Sequence, residues 1–350
     1  MSTSSPPSSI LIIGSGVFGL STALALALRP AYAKTEITIL DRSPEQGVFP
    51  SHDASSIDSS RIIRPDYADP AYSALAAAAH HHWRHSPLGE DGRYTESGMA
   101  LIADAPPAHV KTRTQMDYVR DSYANVKRLA QRKECGIDAA RLTELPSRRA
   151  IAELVGLNPA DADTDTTPGD WGYLNGNSGW ADAGQQHANL RHPPAPQIKK
   201  TLSYSIPYDP ALCIPAEAEA DLRRVLRATV PLPQLHDRPF AAERICWYTD
   251  TPTGDFLVDY HPGWRGLFLA TAGSGHGFKF LPIIGDHVVD CVEGRRPEAF
   301  DDKWRWRGVE RRDDDVEQVY EHIVTEDGSR GGKLGLVLAE ELTKNRRAKM

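Results

Sequence analysis

The stretch Ser9–Leu28, SILIIGSGVFGLSTALALAL, decides the fold. It is apolar and as long as a membrane span, but three glycines interrupt it. No basic segment opens it, as a secretory signal would require. It reads instead as a buried strand at Ser9–Ile13, a glycine turn, and an Ala/Leu-rich helix that stops near Pro30. A second strand, EITIL at Glu36–Leu40, ends on Asp41 and completes a compact βαβ unit.

Gly14, Gly16 and Gly19, with Val17 and Phe18 among them, form a G-x-G-x-x-G turn between strand and helix. An acid ends the next strand, 22 positions after Gly19. That spacing fits a dinucleotide fingerprint, which expects the acid about 20 residues on. Gly14 permits the tight turn, Gly16 lets backbone N–H groups approach a pyrophosphate, and Gly19 lets helix and strand pack closely. The helix N-terminus supplies partial positive charge, and Asp41 would accept from a ribose. The motif does not choose between NAD and FAD.

Length and composition set bounds around this unit. At 350 residues, about two domains are expected at ~150 residues each. The balance of 40 basic and 47 acidic residues gives a net charge of −7, with no basic run backed by aromatics, which argues against nucleic acid. Cys135, Cys213, Cys246 and Cys291 are far apart and form no C-x-x-C, so no zinc site or disulfide framework is expected, and no other metal site. The His80-His81-His82 run reads as helix surface, because successive helical residues point in different directions. No membrane association is expected.

Further along, Pro70–His85 and Arg113–Lys133 read as helices, and 93–103 as one or two strands. From Asn158 to Pro215 the chain is rich in Pro, Gly, Asn and Asp, and only TLSYSI at Thr201–Ile206 reads as strand. Ala216–Thr229 is a helix, DFLVDYHP and LFLATAG are strands, and a last helix is expected at Leu334–Asn345.

Three further segments carry chemistry. In SSRIIRPDY, Arg61 and Arg64 flank two isoleucines, a pattern that fits either a partly buried anion site or structural salt bridges. ATAGSGHGFKFLP, Ala270–Pro282, is a second strand and glycine turn. Its backbone N–H groups could stabilise charge on a bound ring. His276 and Lys279 project from it, the lysine as a second carboxylate binder and the histidine open between a catalytic and a merely hydrogen-bonding role. In ERICWYTDTP, Glu243–Pro252, Cys246 is open to three readings: buried filler, redox or metal ligand, or covalent attachment point.

Together ILIIGSGVFGLSTALALA, SSIDSSRIIRPDYADPAY, SGWADA, RICWYTDTPTGDFLVDYHP and LFLATAGSGHGFKFLPIIGD resemble the FAD-dependent amine oxidases of the D-amino-acid-oxidase superfamily. The branch is that of monomeric sarcosine oxidase, pipecolate/saccharopine oxidase and fructosyl-amino-acid oxidase. The resemblance implies an α/β (overall α+β) fold. A Rossmann-like FAD-binding domain would span 1–89, 141–192 and 246–350, and a smaller, truncated antiparallel-sheet substrate domain 90–140 and 193–245. It implies FAD bonded through its 8α-methyl group to Cys246, and a monomer acting on a small amine or amino acid with O₂. A hydride equivalent would pass from the substrate α-carbon to flavin N5, the imine would hydrolyse, and O₂ would become H₂O₂. Arg64 and Lys279 match the pair that holds the substrate carboxylate. Arg61 and Ser60 match residues beside the flavin, and Gly273, Ser274, Gly275 and Gly277 match the turn at its pyrimidine edge. The ending Ala348-Lys349-Met350 is a variant of the peroxisomal S-K-L address, which fits peroxide production and predicts binding to the import receptor.

The chain departs from this pattern between SGWADA and Ala216, where it is much shorter. A strand ending in an A-T/A-G-A-W-like motif and much of the antiparallel sheet are missing. With them goes the lysine that sits over the flavin and speeds reaction with O₂. Lys199 or Lys200 are the substitutes on offer. The alternative is therefore a non-catalytic flavin-binding paralogue or truncated gene product. An NAD-dependent dehydrogenase is disfavoured, because nothing supplies a nicotinamide half-site.

Overall fold

The computed structural model describes residues 6–41, 54–56, 60–158, 169–183, 198–200, 214–241, 243, 249–251 and 253–308. Cys246, the Thr201–Ile206 strand, the Leu334–Asn345 helix, the terminal tripeptide and the side chains of Lys199 and Lys200 lie outside them.

The opening βαβ unit forms as expected. Strand β1 (Ser9–Ile13) runs parallel to β2 (Glu36–Asp41), with Ile10 opposite Ile37 and Ile12 opposite Ile39. Helix α1 (Val17–Leu28) lies between them in sequence and packs on the late helix Ile284–Val292. That crossing needs glycine at 285, where a Cβ would stand 1.9 Å from the Ser21 carbonyl oxygen. Ser21 stitches the two helices: its hydroxyl donates to Leu281 O at 2.7 Å and accepts from Gly285 N–H at 2.8 Å.

β1 is not the fully buried strand that its apolar run predicts. Ile10 and Ile12 pack toward Ala25, Leu26, Tyr32 and Val289, whereas Leu11 is 55% and Ile13 83% exposed. Alternate strand residues face opposite sides, and only the α1 side is covered among the described residues. A third strand, β9 (Ile198–Lys200), extends the sheet from β2.

Two antiparallel sheets follow. β3 (Arg61–Ile63) and β4 (Tyr94–Thr95) flank β8 (Gly179–Ala181), while β5 (Met99–Ala103) and β6 (Leu142–Leu145) flank β7 (Trp171–Asn175). The second sheet draws β5 from one predicted domain and β6 and β7 from the other. β7 and β8 also correct the expectation of loop from Asn158 onward. The short apolar pieces WGYLN and GWA pair with partners far away in sequence, which local composition does not report. A ribbon of β10 (Leu257–Tyr260) and β11 (Phe268–Thr271) completes the strands described.

Helix α2 (Pro70–His85) starts where Asp69 Oδ1 accepts the N–H groups of Ala71 and Tyr72 at 2.8 and 3.1 Å. It runs through the main core with Trp83, Trp304, Phe256, Phe280 and Ile284. His80 corrects the surface reading of the histidine run. It is buried and bonded to the Tyr94 hydroxyl, while His81 and His82 are exposed, because only one of three successive helical positions faces the core. Helix α3 (Gln115–Ala130) is set by a reciprocal cap between Thr114 and Asp117 and packs on α2. No described helix is long and apolar enough to cross a membrane.

Candidate active site

The first glycine turn has the shape its spacing requires. Gly14 takes φ +102°, open to glycine and strained for other residues, and its N–H donates to Leu40 O at 2.7 Å. At Gly19 a Cβ would fall 1.9 Å from the Gly14 carbonyl oxygen, so helix and strand could not meet at this distance with any other residue. Gly16 caps α1 without a side-chain hydrogen bond, and a Cβ there would meet nothing within 4 Å. An uncapped helix N-terminus facing open space fits a pyrophosphate. Asp41 stands at the same turn, its Oδ2 accepting the Ser15 N–H at 2.6 Å and the Ser15 hydroxyl.

The second glycine turn is held in an unusual backbone path. Ala272 (φ 59°) and Ser274 (φ 45°) are both left-handed without being glycine, and Gly275 follows at φ 65°. Each such residue costs about 1 kcal/mol or more and persists only where its surroundings enforce it. Here Ser274 N–H donates to Thr249 O at 3.1 Å, and its hydroxyl to Ala272 O at 3.1 Å. Phe18, from the first turn, lies 3.7 Å from the Cβ positions of both Gly273 and Gly277. The two glycine turns therefore meet across one aromatic ring. Ser60 is exposed at the start of β3 and touches Arg61 through its carbonyl.

Arg64 and, more than 200 residues later in the chain, His276 and Lys279 converge on Tyr67. The Arg64 guanidinium carbon and the Lys279 amine each lie 5.1 Å from the Tyr67 ring centroid. Lys279 Nζ donates to the Tyr67 hydroxyl at 2.8 Å and to His276 O at 2.9 Å. Trp83 Nε1 fixes the lysine backbone by donating to its carbonyl at 2.7 Å. The His276 ring stacks on Phe256 at 4.8 Å and meets Tyr72 edge-on at 5.1 Å. Its Nδ1 is 3.1 Å from the Tyr67 hydroxyl, and its Nε2 is 2.9 Å from Gly254 O.

Burial pushes the Lys279 amine well below its usual pKa, and the neighbouring Arg64 charge pushes it further down. Burial also opposes charge on Arg64, but the Tyr118 and Tyr67 hydroxyls and Asp66 outweigh it and hold its pKa above the usual guanidinium value. Burial raises Tyr67 well above the usual phenol range, so its hydroxyl keeps its proton.

Arg61 does not join this group. Its guanidinium turns to the carbonyls of Ser55 and Ser60, and it is absent from the cavity that Arg64 lines. The pair read from SSRIIRPDY thus splits, since residues three apart across a strand end need not share a face.

Several site residues carry no signal in the sequence. Asp66 is fully buried, and its carboxylate accepts from the Tyr173 hydroxyl (2.7 Å), Asn175 Nδ2 (3.0 Å) and the Ser178 hydroxyl (2.8 Å). It pins the Arg64–Tyr67 segment to β7 and the turn leading into β8, and its carbonyl accepts from Arg64. Tyr118 on α3 takes the other end of that guanidinium at 3.3 Å. Asp66 and Tyr67 lie within the R-P-D-Y run. Their partners are more than 100 residues away, so the run alone gives them no role.

These groups wall a cavity of about 950 Å³, with Ser274, Gly275 and His276 of the second glycine turn on one side and Arg64, Tyr67 and Tyr118 on another. Asp250, Asp255, Asp302, Lys303 and Arg307 stand along its remaining wall. Lys279 lies behind Tyr67, outside the lining.

A dinucleotide turn joined through Phe18 to a second glycine turn, which in turn borders a cavity with a guanidinium on its wall, defines a nucleotide-cofactor oxidoreductase. The family model described as DAO, FAD dependent oxidoreductase, matches residues 9–191 and 201–291, and the chain belongs to that family. The chain is similar to amino acid oxidase imqH of Aspergillus flavus, 24% identical over 449 positions, covering 82% of this chain and 93% of that protein. It is similar to L-saccharopine oxidase of Schizosaccharomyces pombe, 24% identical over 417 positions, covering 85% and 93%. A shorter match, 41% over 56 residues and 16% of this chain, is to N-methyl-L-tryptophan oxidase of Citrobacter koseri, of which it covers 15%. Among solved structures, a thermally stable mutant of fructosyl peptide oxidase superposes with a TM-score of 0.65 at 18% identity, covering 85% of this chain and 93% of that one. With these relatives, the chain is an FAD-dependent oxidoreductase of the class that acts on CH–NH donors with oxygen. The alignment to imqH runs over 449 positions yet uses only 82% of 350 residues, so a long portion of that relative has no counterpart here.

Proposed function

We propose that this protein oxidises an N-substituted α-amino acid whose carboxylate is held at Arg64. The observation that carries the reading is a permanently charged guanidinium on the wall of a cavity of about 950 Å³ that the second glycine turn borders. A guanidinium has five N–H donors. The bonds to Asp66 O and Tyr118 Oη leave donors for a carboxylate. The volume suits an amino acid with a sizeable N-substituent. The relatives named for saccharopine and N-methyl-L-tryptophan support this substrate class.

FAD, when bound, supplies the hydride acceptor and the reaction with O₂. The chain's own part is to bind and orient. Gly14, Gly16 and Gly19 and the α1 N-terminus would hold the pyrophosphate, and the Ala272–Gly277 backbone would supply N–H groups to the ring. Arg64 anchors the carboxylate, and Phe256 and Tyr72 keep the His276 ring fixed beside it. Peroxide release with a panel of N-alkyl, imino-diacid and fructosyl amino acids tests the reading. No peroxide with any of them, in a flavin-loaded protein, would overturn it in favour of a non-catalytic flavin binder.

The same reading makes Cys246 the covalent anchor of FAD. Support comes from Thr249, three residues on, whose carbonyl accepts from Ser274 in the second glycine turn. Three residues span at most ~11 Å. Acid denaturation should leave yellow colour in the pellet, and Cys246→Ser should release it to the supernatant. Import into peroxisomes through Ala348-Lys349-Met350, by an otherwise monomeric enzyme, completes the proposal. Diffuse cytosolic fluorescence of an N-terminally tagged chain would count against that import.

A further inference from the structure

We propose that His81 and His85, four residues apart near the end of α2, form a two-imidazole chelate for a divalent transition metal ion of the Zn²⁺, Ni²⁺ or Cu²⁺ kind. The site lies outside the cavity lining and stands whether or not that cavity takes an amino acid.

Spacing along the helix selects the pair. Successive residues diverge around a helix, so the His80-His81-His82 run is not itself a chelate. His80 is buried against Tyr94, and the His81 and His82 ring centres stand 5.9 Å apart at 87°. Four residues make slightly more than one turn and rise about 6 Å, which places positions 81 and 85 on one face. Their ring centres are 4.7 Å apart, and both residues are exposed.

A metal ion fits that gap. Metal–nitrogen bonds of about 2.0–2.1 Å, with each ring centre roughly 1 Å behind its nitrogen, put two chelating imidazoles about 4.5–5.2 Å apart for right-angled to tetrahedral geometry. The pair at 4.7 Å falls inside that range, and the pair at 5.9 Å falls outside it. Among the described residues no hydrogen bond or ion pair ties either ring, so a metal has no internal partner to displace. No group of three His, Cys, Asp or Glu gathers among the described residues, so water completes the coordination. Imidazole suits zinc, nickel and copper, whereas magnesium and calcium take oxygen ligands.

The electrostatics agree. The last turn of a helix carries the negative end of its dipole and favours a cation. Arg84 lies between the two histidines in sequence, but its charge is engaged elsewhere. Its Nε donates to Glu96 Oε2 at 2.6 Å, and its other nitrogens donate to the carbonyls of Gly136 and Asn177 at 2.6 and 3.0 Å. The ion would clip the turn that holds Trp83, whose indole N–H fixes the Lys279 carbonyl at 2.7 Å.

The experiment is calorimetric titration of tag-free, flavin-loaded protein with NiCl₂, repeated with MgCl₂. The expected result is one tight Ni²⁺ equivalent in the wild type and in His82→Ala, and none for Mg²⁺. Binding should weaken roughly 100-fold or more in His81→Ala and in His85→Ala, the advantage that a linked second ligand confers. No tight equivalent in the wild type overturns the site, as does unchanged binding in either of the last two variants. An equal loss in His82→Ala, or equal binding of Mg²⁺, overturns it as well, by showing diffuse attraction of cations rather than a chelate. Should His85→Ala fail to fold, His85→Gln replaces it under the same criterion.

Discussion

The two sides of the β1–β2 sheet are built to different standards. On one, Ile10, Ile12 and Ile37 meet Ala25, Leu26 and Val289, and helix α1 is locked to Ile284–Val292 through Ser21 and Gly285. On the other, Leu11 and Ile13 are exposed, Ile13 almost fully. The closed side is made largely by residues that follow β1 directly in the chain. Covering the open side requires segments from elsewhere, and this chain is shorter than the relative it aligns with over 449 positions. The contrast separates what a βαβ unit closes by itself from what it borrows.

Four experiments test that contrast. The largest effect is expected at the closed side. Gly285→Ala drives a methyl into the Ser21 carbonyl, and either the helices part or the chain fails to fold. The expected loss is about 3 kcal/mol or more, read as a drop in Tm and in bound flavin. Normal stability would show that the α1 crossing is looser than described.

Next, Arg64→Ala should weaken carboxylate binding by roughly 100-fold or more, the usual cost of removing one partner of a buried charged pair. KM should rise for amino acids, with far less change for amines that lack a carboxylate. An equal loss for both kinds of substrate would show that the arginine supports the fold rather than the ligand.

An intermediate effect depends on pH. Burial, with Arg84 and Arg141 nearby, lowers the His80 pKa from 6.5 to about 3. Between those values the unfolded chain binds a proton that the native state does not, so stability falls as pH drops from about 6.5 toward 3. His80→Gln should flatten that acid limb while leaving stability at pH 8 within about 1–2 kcal/mol of wild type. An unchanged acid limb would mean that other groups carry it.

The smallest effect belongs to the open side. Ile13→Ser should change stability by no more than about 0.5 kcal/mol, as for an exposed position. A loss of about 2 kcal/mol, as for a buried side chain, would show that a partner covers this face.

Much of the fold and part of the site are legible in the sequence. The glycine spacing names the βαβ unit, since only Gly19 allows its close approach and only an uncapped helix start accepts an anion there. Arg64, His276 and Lys279 stand out as chemistry-bearing residues, and they do meet. Arg61 shares the pattern of Arg64 and turns away, while nothing local marks Asp66, Tyr67 or Tyr118. A tyrosine's role depends on what it touches. Tyr67 becomes a hub only because a histidine and a lysine arrive from the far end of the chain.

Sequence alone was enough for the dinucleotide turn, the helix at Pro70–His85, and the residue types available for an anion site. These rest on interactions within a few residues, where covalent geometry and local hydrogen bonding leave little choice. Only the tertiary structure settled which arginine faces the cavity, that Lys279 sits behind Tyr67, that His80 is core, and that Leu11 and Ile13 stay exposed. Those outcomes depend on burial and charge contributed by residues far apart in the chain, and no local pattern encodes them.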